Sequence, residues 1–519
     1  MQASPDLLSL LRAAAERRMS GPFLGVGDTA ITAPELCRRV EAVAAGLRQA
    51  GMRAGDRIAL LLHRSIDEVV ALLATAAAAG IAVPLHARLK DAQVAHVLAD
   101  CEPFAVVASN ERLLGLQDAP AVLARRRTFH AGATPAGVVS EPLPAAAGGA
   151  LPAPSPAAPA VLLYTSGSTG LAKGIIQDHR NLALGAAIVA DYLRLDGEDH
   201  VLALLSCSFD YGLNQVLSAA HAGCRVTAAD HLGVGELAGL LRRHRPTGLA
   251  GVPSLWHEVA AGLQTGTLTA ADGASLRYIT NSGGTLRVAD SAVLRRCWPH
   301  VDVFAMYGLT EAFRSAYLPP TEFDAHPESF GRALPGVELL LVDPESGAVV
   351  EGPGVGELVH AGALIAQGYW RRPQDERERF RPDPRTGQGR VVYSGDLVRR
   401  DAEGRHYFIA RRDRLLKVQG HRVSPDEVAA AVAGMPGVGE VAVLGYDGGA
   451  DGHRIALFVA GSADGGRLAE QVRRRCRARL PSYMHPAVVE VLPALPHNAN
   501  GKVDEHVLRG MLPPCTGCR

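Results

Sequence analysis

Short apolar runs alternating with amphipathic stretches dominate the first two thirds of the chain. Residues 57–62 form one such run, a helical stretch follows from Ser65, and a second run occupies 81–85. The alternation recurs at 104–107, 201–205, 224–228, 248–252, 276–280 and 302–306. Apolar runs without polar alternation predict strands covered on both faces, and the helices between them predict largely parallel sheets. Residues 131–160, dominated by Ala, Pro and Gly, read as a loose surface connection. Past Gly331 the pattern shifts to short strands and Gly/Pro turns, as at 338–342 and 356–360, which predicts a compact β-rich subdomain near 331–412. The remainder reads as a β-turn, a helix from about Pro425, strands at 441–444, 455–460 and 488–492, and a helix at 467–479. The expected class is α/β: a large N-terminal domain over 1–412 with layered mixed sheets, and a small α+β lid over 413–519.

Composition narrows this picture. At 519 residues and 54.5 kDa, two or more domains are expected, each able to bury a core without disulfide or metal staples. The 53 basic and 53 acidic side chains balance, so no long-range field draws the protein to nucleic acid or to an anionic membrane. The cysteines are scattered apart from Cys515 and Cys518, and that single CxxC lacks the second ligand pair of a zinc site. The longest uncharged run, 69–85, contains Gly80 and Pro84 and falls short of a membrane span. The N-terminus lacks the order of a signal peptide, so a cytoplasmic location is expected.

Candidate chemistry sits at the ends of predicted strands. After the run 161–164 comes Thr165-Ser166-Gly167-Ser168-Thr169-Gly170-Leu171-Ala172-Lys173-Gly174. Glycines permit a tight turn that aims N–H groups inward, hydroxyls add donors, and lysine adds a point charge: a cradle for phosphate oxygens. Lysine occurs only at positions 90, 173, 417 and 502, the other 49 basic residues being arginine. In so arginine-biased a chain, each lysine marks a place where the compact ammonium can be required. A second motif, Met306-Tyr307-Gly308-Leu309-Thr310-Glu311, offers a ring for adenine, a hydroxyl for phosphate and a carboxylate for the Mg²⁺ that ATP carries; a packed tyrosine followed by a helix cap is the alternative. Upstream, Ser282 and Gly283 close another strand. Asp396 is suited to paired ribose hydroxyls with Arg411 beside it, although 411–422 also reads as a solvated cationic hairpin. Lys502 rides a polar turn, 498–504.

Together with Leu480-Pro-Ser-Tyr-Met484 and Gly368-Tyr-Trp370, these ordered motifs resemble the adenylate-forming superfamily of acyl-CoA synthetases, firefly luciferase and nonribosomal peptide synthetase adenylation domains. The resemblance covers nearly the whole chain. It implies an ATP-dependent ligase that makes an acyl-adenylate and passes the acyl group to a thiol. It implies that Lys173 and the loop Thr165–Gly170 handle the phosphates and that Tyr307 lies near adenine. Thr310 would touch the α-phosphate, Glu311 would hold Mg²⁺, and Asp396 and Arg411 would grip ribose. Lys502 would bridge acid and ATP during adenylation. Asp413 matches a hinge, and Lys417 to Gly420 matches the stretch used in the second half-reaction. Leu171-Ala172 departs from the family, where proline commonly precedes the loop lysine.

By the same matching, Phe209, Asp210, Tyr211, Asn214, Ser282, Gly283, Met306 and Arg314 line the acid pocket. Phe209-Asp210 falls where amino-acid-activating members place the aspartate that binds the substrate ammonium, so an amino acid is the leading expectation. A helix cap is the competing role for Asp210, and pairing with a protein carboxylate is the competing role for Arg314. No LGG-(H/D)-S-like segment follows Lys502, so the expected acceptor is the phosphopantetheine of a separate carrier protein, with CoA and a non-amino acid as the alternative.

Overall fold

The computed structural model describes the chain except for residues 1–5, 19, 88, 90, 110, 113–126, 132–139, 149–150, 167–171, 231–232, 413–415, 419–420, 424, 448–452, 462–464, 481, 499–500 and 513–519, and except for the side chains of 166, 417, 421, 422, 447, 453 and 465. The chain divides into two compact units, Met1–Leu339 with Val359–Tyr393, and Leu340–Leu358 with Ser394–Arg519. Residues 340–358 and 394–412 of the β-rich stretch fall in the second unit with the C-terminal residues. Asp413 lies outside the described residues.

The first unit contains two sheets. In one, the strands Arg57–Leu61, Ile81–Pro84, Ala105–Ser109, Arg127–Ala131 and Glu141–Pro142 run parallel with Pro159–Ser166, which turns back antiparallel into Ala172–Asp178. Gly368–Tyr369 closes its edge. In the other, Leu24–Val26, Arg225–Ala228, His200–Ala203, Gly248–Gly251, Tyr278–Asn281 and Asp302–Leu309 are parallel neighbours. Ala312–Leu318 and Ser329–Ala333 then continue antiparallel. The apolar runs read from the sequence are these strands.

Five helices, Leu7–Arg17, Ala33–Gln49, Ile66–Ala77, His179–Tyr192 and Asp210–Ala222, share one apolar cluster with the facing sides of both sheets. Trp256 and Trp298 anchor three further helices on the outer face of the second sheet, and Asp91–Cys101 covers the outer face of the first. Side-chain caps fix where the central helices begin. Thr32, Ser65 and Asp178 each accept a hydrogen bond from the backbone N–H three residues on, satisfying a donor that the first helical turn leaves without a partner.

In the second unit, Val391–Arg400 from Ser394 onward pairs with His406–Arg411. The hairpin of Leu416–Val418 and His421–Val423 precedes a sheet in which Val441–Asp447, His453–Ala460 and Val488–Leu492 adjoin. The helices Pro425–Val432 and Gly465–Arg479 close its core, as the sequence pattern predicts. Among the described residues no helix is long and apolar enough to cross a membrane.

Candidate active site

The phosphate motif begins inside the first sheet. Thr165 faces Lys173 across the antiparallel pair that brackets the loop, and the described part of the motif ends there, since 167–171 and the side chain of Ser166 fall outside it. Lys173 forms an ion pair with Asp375, and its ammonium lies 5.8 Å from the centroid of the Tyr369 ring. Asp375 belongs to the helix Pro373–Arg379, a segment that sequence reasoning did not connect with the site.

Parallel strands of the second sheet deliver the other motif, with the hairpin of Asp302–Leu309 and Ala312–Leu318 turning at Thr310 and Glu311 and carrying a bulge between Tyr307 and Leu309. Such bulges re-aim side chains at a strand end. Thr310 is buried, and its carbonyl accepts from the Gln177 amide. Glu311 is buried as well: Tyr369 donates to its Oε1 at 2.5 Å, and Arg379 stands 3.7 Å from the same oxygen. Burial, then the adjacent Glu311 carboxylate, push the Tyr369 phenol well above its ordinary pKa, so it remains a donor. The Tyr307 ring is stacked near Phe330 at 4.5 Å and His360 at 5.7 Å, an aromatic group to which a base can be added. The helix reading of Thr310-Glu311 is not observed, because both lie in a β-turn.

Behind that hairpin is a small, narrow cavity. Val189, Leu193 and Leu195 supply an apolar wall, while Tyr211, Asn214, Met306 and Arg314 line it as expected, joined by Gln215, which the sequence reading did not single out. The other four expected pocket residues, Phe209, Asp210, Ser282 and Gly283, are not among its lining. Phe209 occupies the N-cap position of the helix Asp210–Ala222 and makes no side-chain cap bond, so the capping role considered for Asp210 does not hold: Asp210 is the first helical residue. Ser282 is buried, and its N–H reaches the Gly251 carbonyl at 3.3 Å; Gly283 has φ +82°, the left-handed region that favours glycine.

Arg314 is 4 % exposed, with its guanidinium 5.1 Å from the Tyr211 ring centroid and 5.2 Å from that of Phe313. Phe313 in turn abuts Gly185, where an added Cβ would stand 2.5 Å from the ring. Arg314 Nη2 donates to the Asp210 carbonyl at 3.3 Å, while Nε has no partner among the described residues. No described carboxylate forms an ion pair with Arg314.

In the second unit, Asp396 and Arg411 face each other across the strand pair, Asp396 Oδ1 lying 3.1 Å from Arg411 Nη1. Arg412 pairs with the buried Glu357, which also accepts from the Gly395 N–H at 3.0 Å. These contacts support a rigid strand pair beneath the two residues suited to ribose. Lys502 is exposed on a tight turn in which Asn498 N–H donates to its carbonyl at 2.7 Å and its own N–H donates to Asn498 Oδ1 at 3.1 Å. Lys417 lies in the strand Leu416–Val418 with its side chain outside the description, as is all of Gly420.

The donor set fits Mg²⁺–ATP. No group of three or more His, Cys, Asp or Glu among the described residues forms a metal cage. The buried carboxylate of Glu311 suits Mg²⁺, which is commonly held by one or two carboxylates together with substrate phosphates. Lys173 already holds an anionic oxygen, the chemistry a phosphate presents.

Comparison with known proteins places this geometry. An L-proline–[L-prolyl-carrier protein] ligase of Streptomyces coelicolor is 31% identical over 99% of this chain and 98% of its own. Tenellin synthetase of Beauveria bassiana is 31% identical over 93% of this chain, which spans only 12% of that longer protein. Among solved structures, an ATP-bound RpMatB–BxBclM chimera superposes with a TM-score of 0.85 at 26% identity, covering 98% of both chains. The anthranilate CoA ligase AuaEII in complex with anthranoyl-AMP shares the fold, with a TM-score of 0.84 at 23% identity and 98% coverage of both chains. The model of the AMP-binding enzymes matches residues 11–370 and that of their C-terminal domain matches 427–502, so the chain belongs to the AMP-binding enzymes, the AMP-forming ligases of the adenylate-forming superfamily.

Proposed function

We propose that this ligase activates a carboxylic acid bearing no α-ammonium and hands the acyl group to a pantetheine thiol, that of coenzyme A. Adenylation itself follows from the family: the acid's oxygen attacks the α-phosphorus of ATP, pyrophosphate leaves, and a mixed anhydride forms. In the proposed second step the thiolate attacks the anhydride carbonyl and AMP departs. Charge builds on phosphoryl oxygens in the first step, and positioned cations lower that barrier most. Lys173 and the Mg²⁺ that ATP brings serve there, and Lys502 joins them as the bridging lysine. Such a reaction draws on ATP and pantetheine thiols and is assigned to the cytoplasm.

The observation that carries the choice of acid is the charge of the cavity. Among the described residues its lining includes a buried guanidinium and no Asp or Glu, so an ammonium there would meet a cation and no lining carboxylate. A second reading, an amino acid loaded onto a discrete carrier protein, is favoured by the full-length similarity to the prolyl-carrier protein ligase and by Asp210, which is buried at the start of the adjoining helix. ATP–pyrophosphate exchange with amino acids beside their matched deamino acids, followed by thioester assay with CoA and with a phosphopantetheinylated carrier, tests both. Deamino acids and CoA are expected to give the higher kcat/KM; preference for an amino acid, or transfer to the carrier alone, would replace this reading with the second.

A further inference from the structure

The apolar cavity holds more hydrogen-bond donors than it can satisfy internally. Arg314 Nε, Asn214 Nδ2 and Gln215 Nε2 all lack partners among the described residues, against Gln215 Oε1 as the one acceptor atom of these three side chains that also lacks one. Asn214 Oδ1 is engaged by the Ser218 hydroxyl at 3.0 Å. Burial pushes the phenols of Tyr192 and Tyr211 well above their ordinary pKa, so neither supplies a tyrosinate to offset the guanidinium. The rings of Tyr211 and Phe313 lie beside the guanidinium, a contact that complements its π face and leaves its Nε–H, which has no partner among the described residues, the need for an acceptor. A buried cation in this state calls for an occupant with an anionic, acceptor-rich end.

The reacting carboxylate of the acid cannot fill that role throughout. On adenylation it becomes a neutral acyl centre in an anhydride, which would leave Arg314 stranded in the intermediate. A second carboxylate keeps its charge through both half-reactions. We infer that the acid is a short dicarboxylate whose distal carboxylate is held by the in-plane N–H groups of Arg314 with help from the Asn214 amide. This rests on the reading of the chain as a carboxylic acid ligase and of the cavity as its acid pocket. The aliphatic wall at Val189, Leu193 and Leu195 leaves the carbons between the two carboxylates in apolar contact.

The test measures pyrophosphate exchange for α,ω-dicarboxylates of graded length, their half-amides and the monocarboxylates of equal length. It is run on the full chain and on Arg314→Met and Arg314→Lys. The wild-type kcat/KM ratio of best dicarboxylate to matched monocarboxylate is expected near a hundredfold, falling at least tenfold in Arg314→Met and partly restored in Arg314→Lys. A ratio that favours the monocarboxylate, or one that neither variant changes, overturns the inference. Should Arg314→Met not fold, the wild-type series and Arg314→Lys decide. Thermal shift without ATP separates the two readings. Stabilisation by dicarboxylates that depends on Arg314, with no exchange for any acid, keeps the inference and removes adenylation of these acids; exchange with monocarboxylates alone does the reverse, and failure of both measurements removes both.

Discussion

Two ends of the same hairpin treat charge in opposite ways. At its turn, Glu311 is met by Tyr369 and Arg379, and nearby Lys173 is met by Asp375; along its second strand, Arg314 meets no carboxylate among the described residues. On the proposed roles the ions at the turn would be interim partners: a phosphate would replace Asp375 on Lys173 and Mg²⁺ would replace Arg379 beside Glu311, anion for anion and cation for cation. The helix Pro373–Arg379 carries both of these groups, Asp375 and Arg379. In the cavity no ion pair with Arg314 occurs among the described residues, so on the proposed reading the acid itself would supply the counter-charge. A universal ligand permits a built-in substitute; a ligand that defines specificity is better recognised by groups with no internal satisfaction.

The largest effect expected at the turn is from Lys173→Ala. It should reduce kcat/KM for Mg²⁺–ATP by about a hundredfold or more, in the range for loss of a main charge-stabilising donor. Single-turnover adenylation checks this, and the ranking of acids should not change. A reshuffled ranking would show that the two ends are coupled and break the comparison. Next, Glu311→Gln should raise the Mg²⁺ concentration for half-maximal adenylation about tenfold at saturating ATP, with secondary structure by circular dichroism unaltered. An unchanged metal titration would mean that Glu311 serves only Tyr369 and Arg379.

Smaller still is Asp375→Asn. Releasing Lys173 from its interim partner should lower KM for ATP about two- to fivefold and leave KM for the acid alone, since a partly exposed ion pair contributes about 1 kcal/mol or less. A rise in KM for ATP would instead make Asp375 a group that positions the lysine.

The least effect on activity is expected from a buried charge with a different role. Glu68 is pushed up to about 7, chiefly by burial, with Arg64 opposing the shift. Its folded pKa lies above the ordinary 4.5, so the folded state binds the proton more tightly. The associated stabilisation is complete below about pH 4.5 and disappears as pH rises to about 7. Glu68→Gln should therefore be more stable than the parent at pH 8, by about 1–3 kcal/mol, and should flatten the fall in melting temperature between pH 5 and 8. A parallel pair of melting curves would show that Glu68 is not the group responsible.

Legibility in the sequence follows from how local each feature is. The strands at 57–61, 248–251 and 302–309 are readable because unbroken apolar runs demand cover on both faces, and the small α+β unit is readable from its own periodicity. Thr310, Glu311 and Asp396 are legible because their chemistry is carried by contiguous motifs at strand ends. The pairing of Lys173 with Asp375 joins residues 202 apart, and no spacing rule connects them. Gln215 shared that obscurity, since an amide on an apolar helix looks like an exposed position until the neighbouring sheet covers it. Asp210 was ambiguous for a local reason: one residue decides between cap and first turn, and the backbone at Phe209, φ −111° and ψ 132°, places the cap there.

The contact between Gly185 and Phe313 has a consequence for how such an enzyme diversifies. Gly185 sits in the helix His179–Tyr192, whose other residues Val189 and Tyr192 reach the acid cavity and its aromatic surround. A single methyl at position 185 would press on the Phe313 ring, and through it on the guanidinium packed beside that ring. On the proposed reading, the distance over which Arg314 could reach an acid would thus be set partly by the absence of a side chain at a position that is not itself among the cavity's lining. A lineage could trade one chain length for another by changing a residue that no inspection of the pocket walls would nominate.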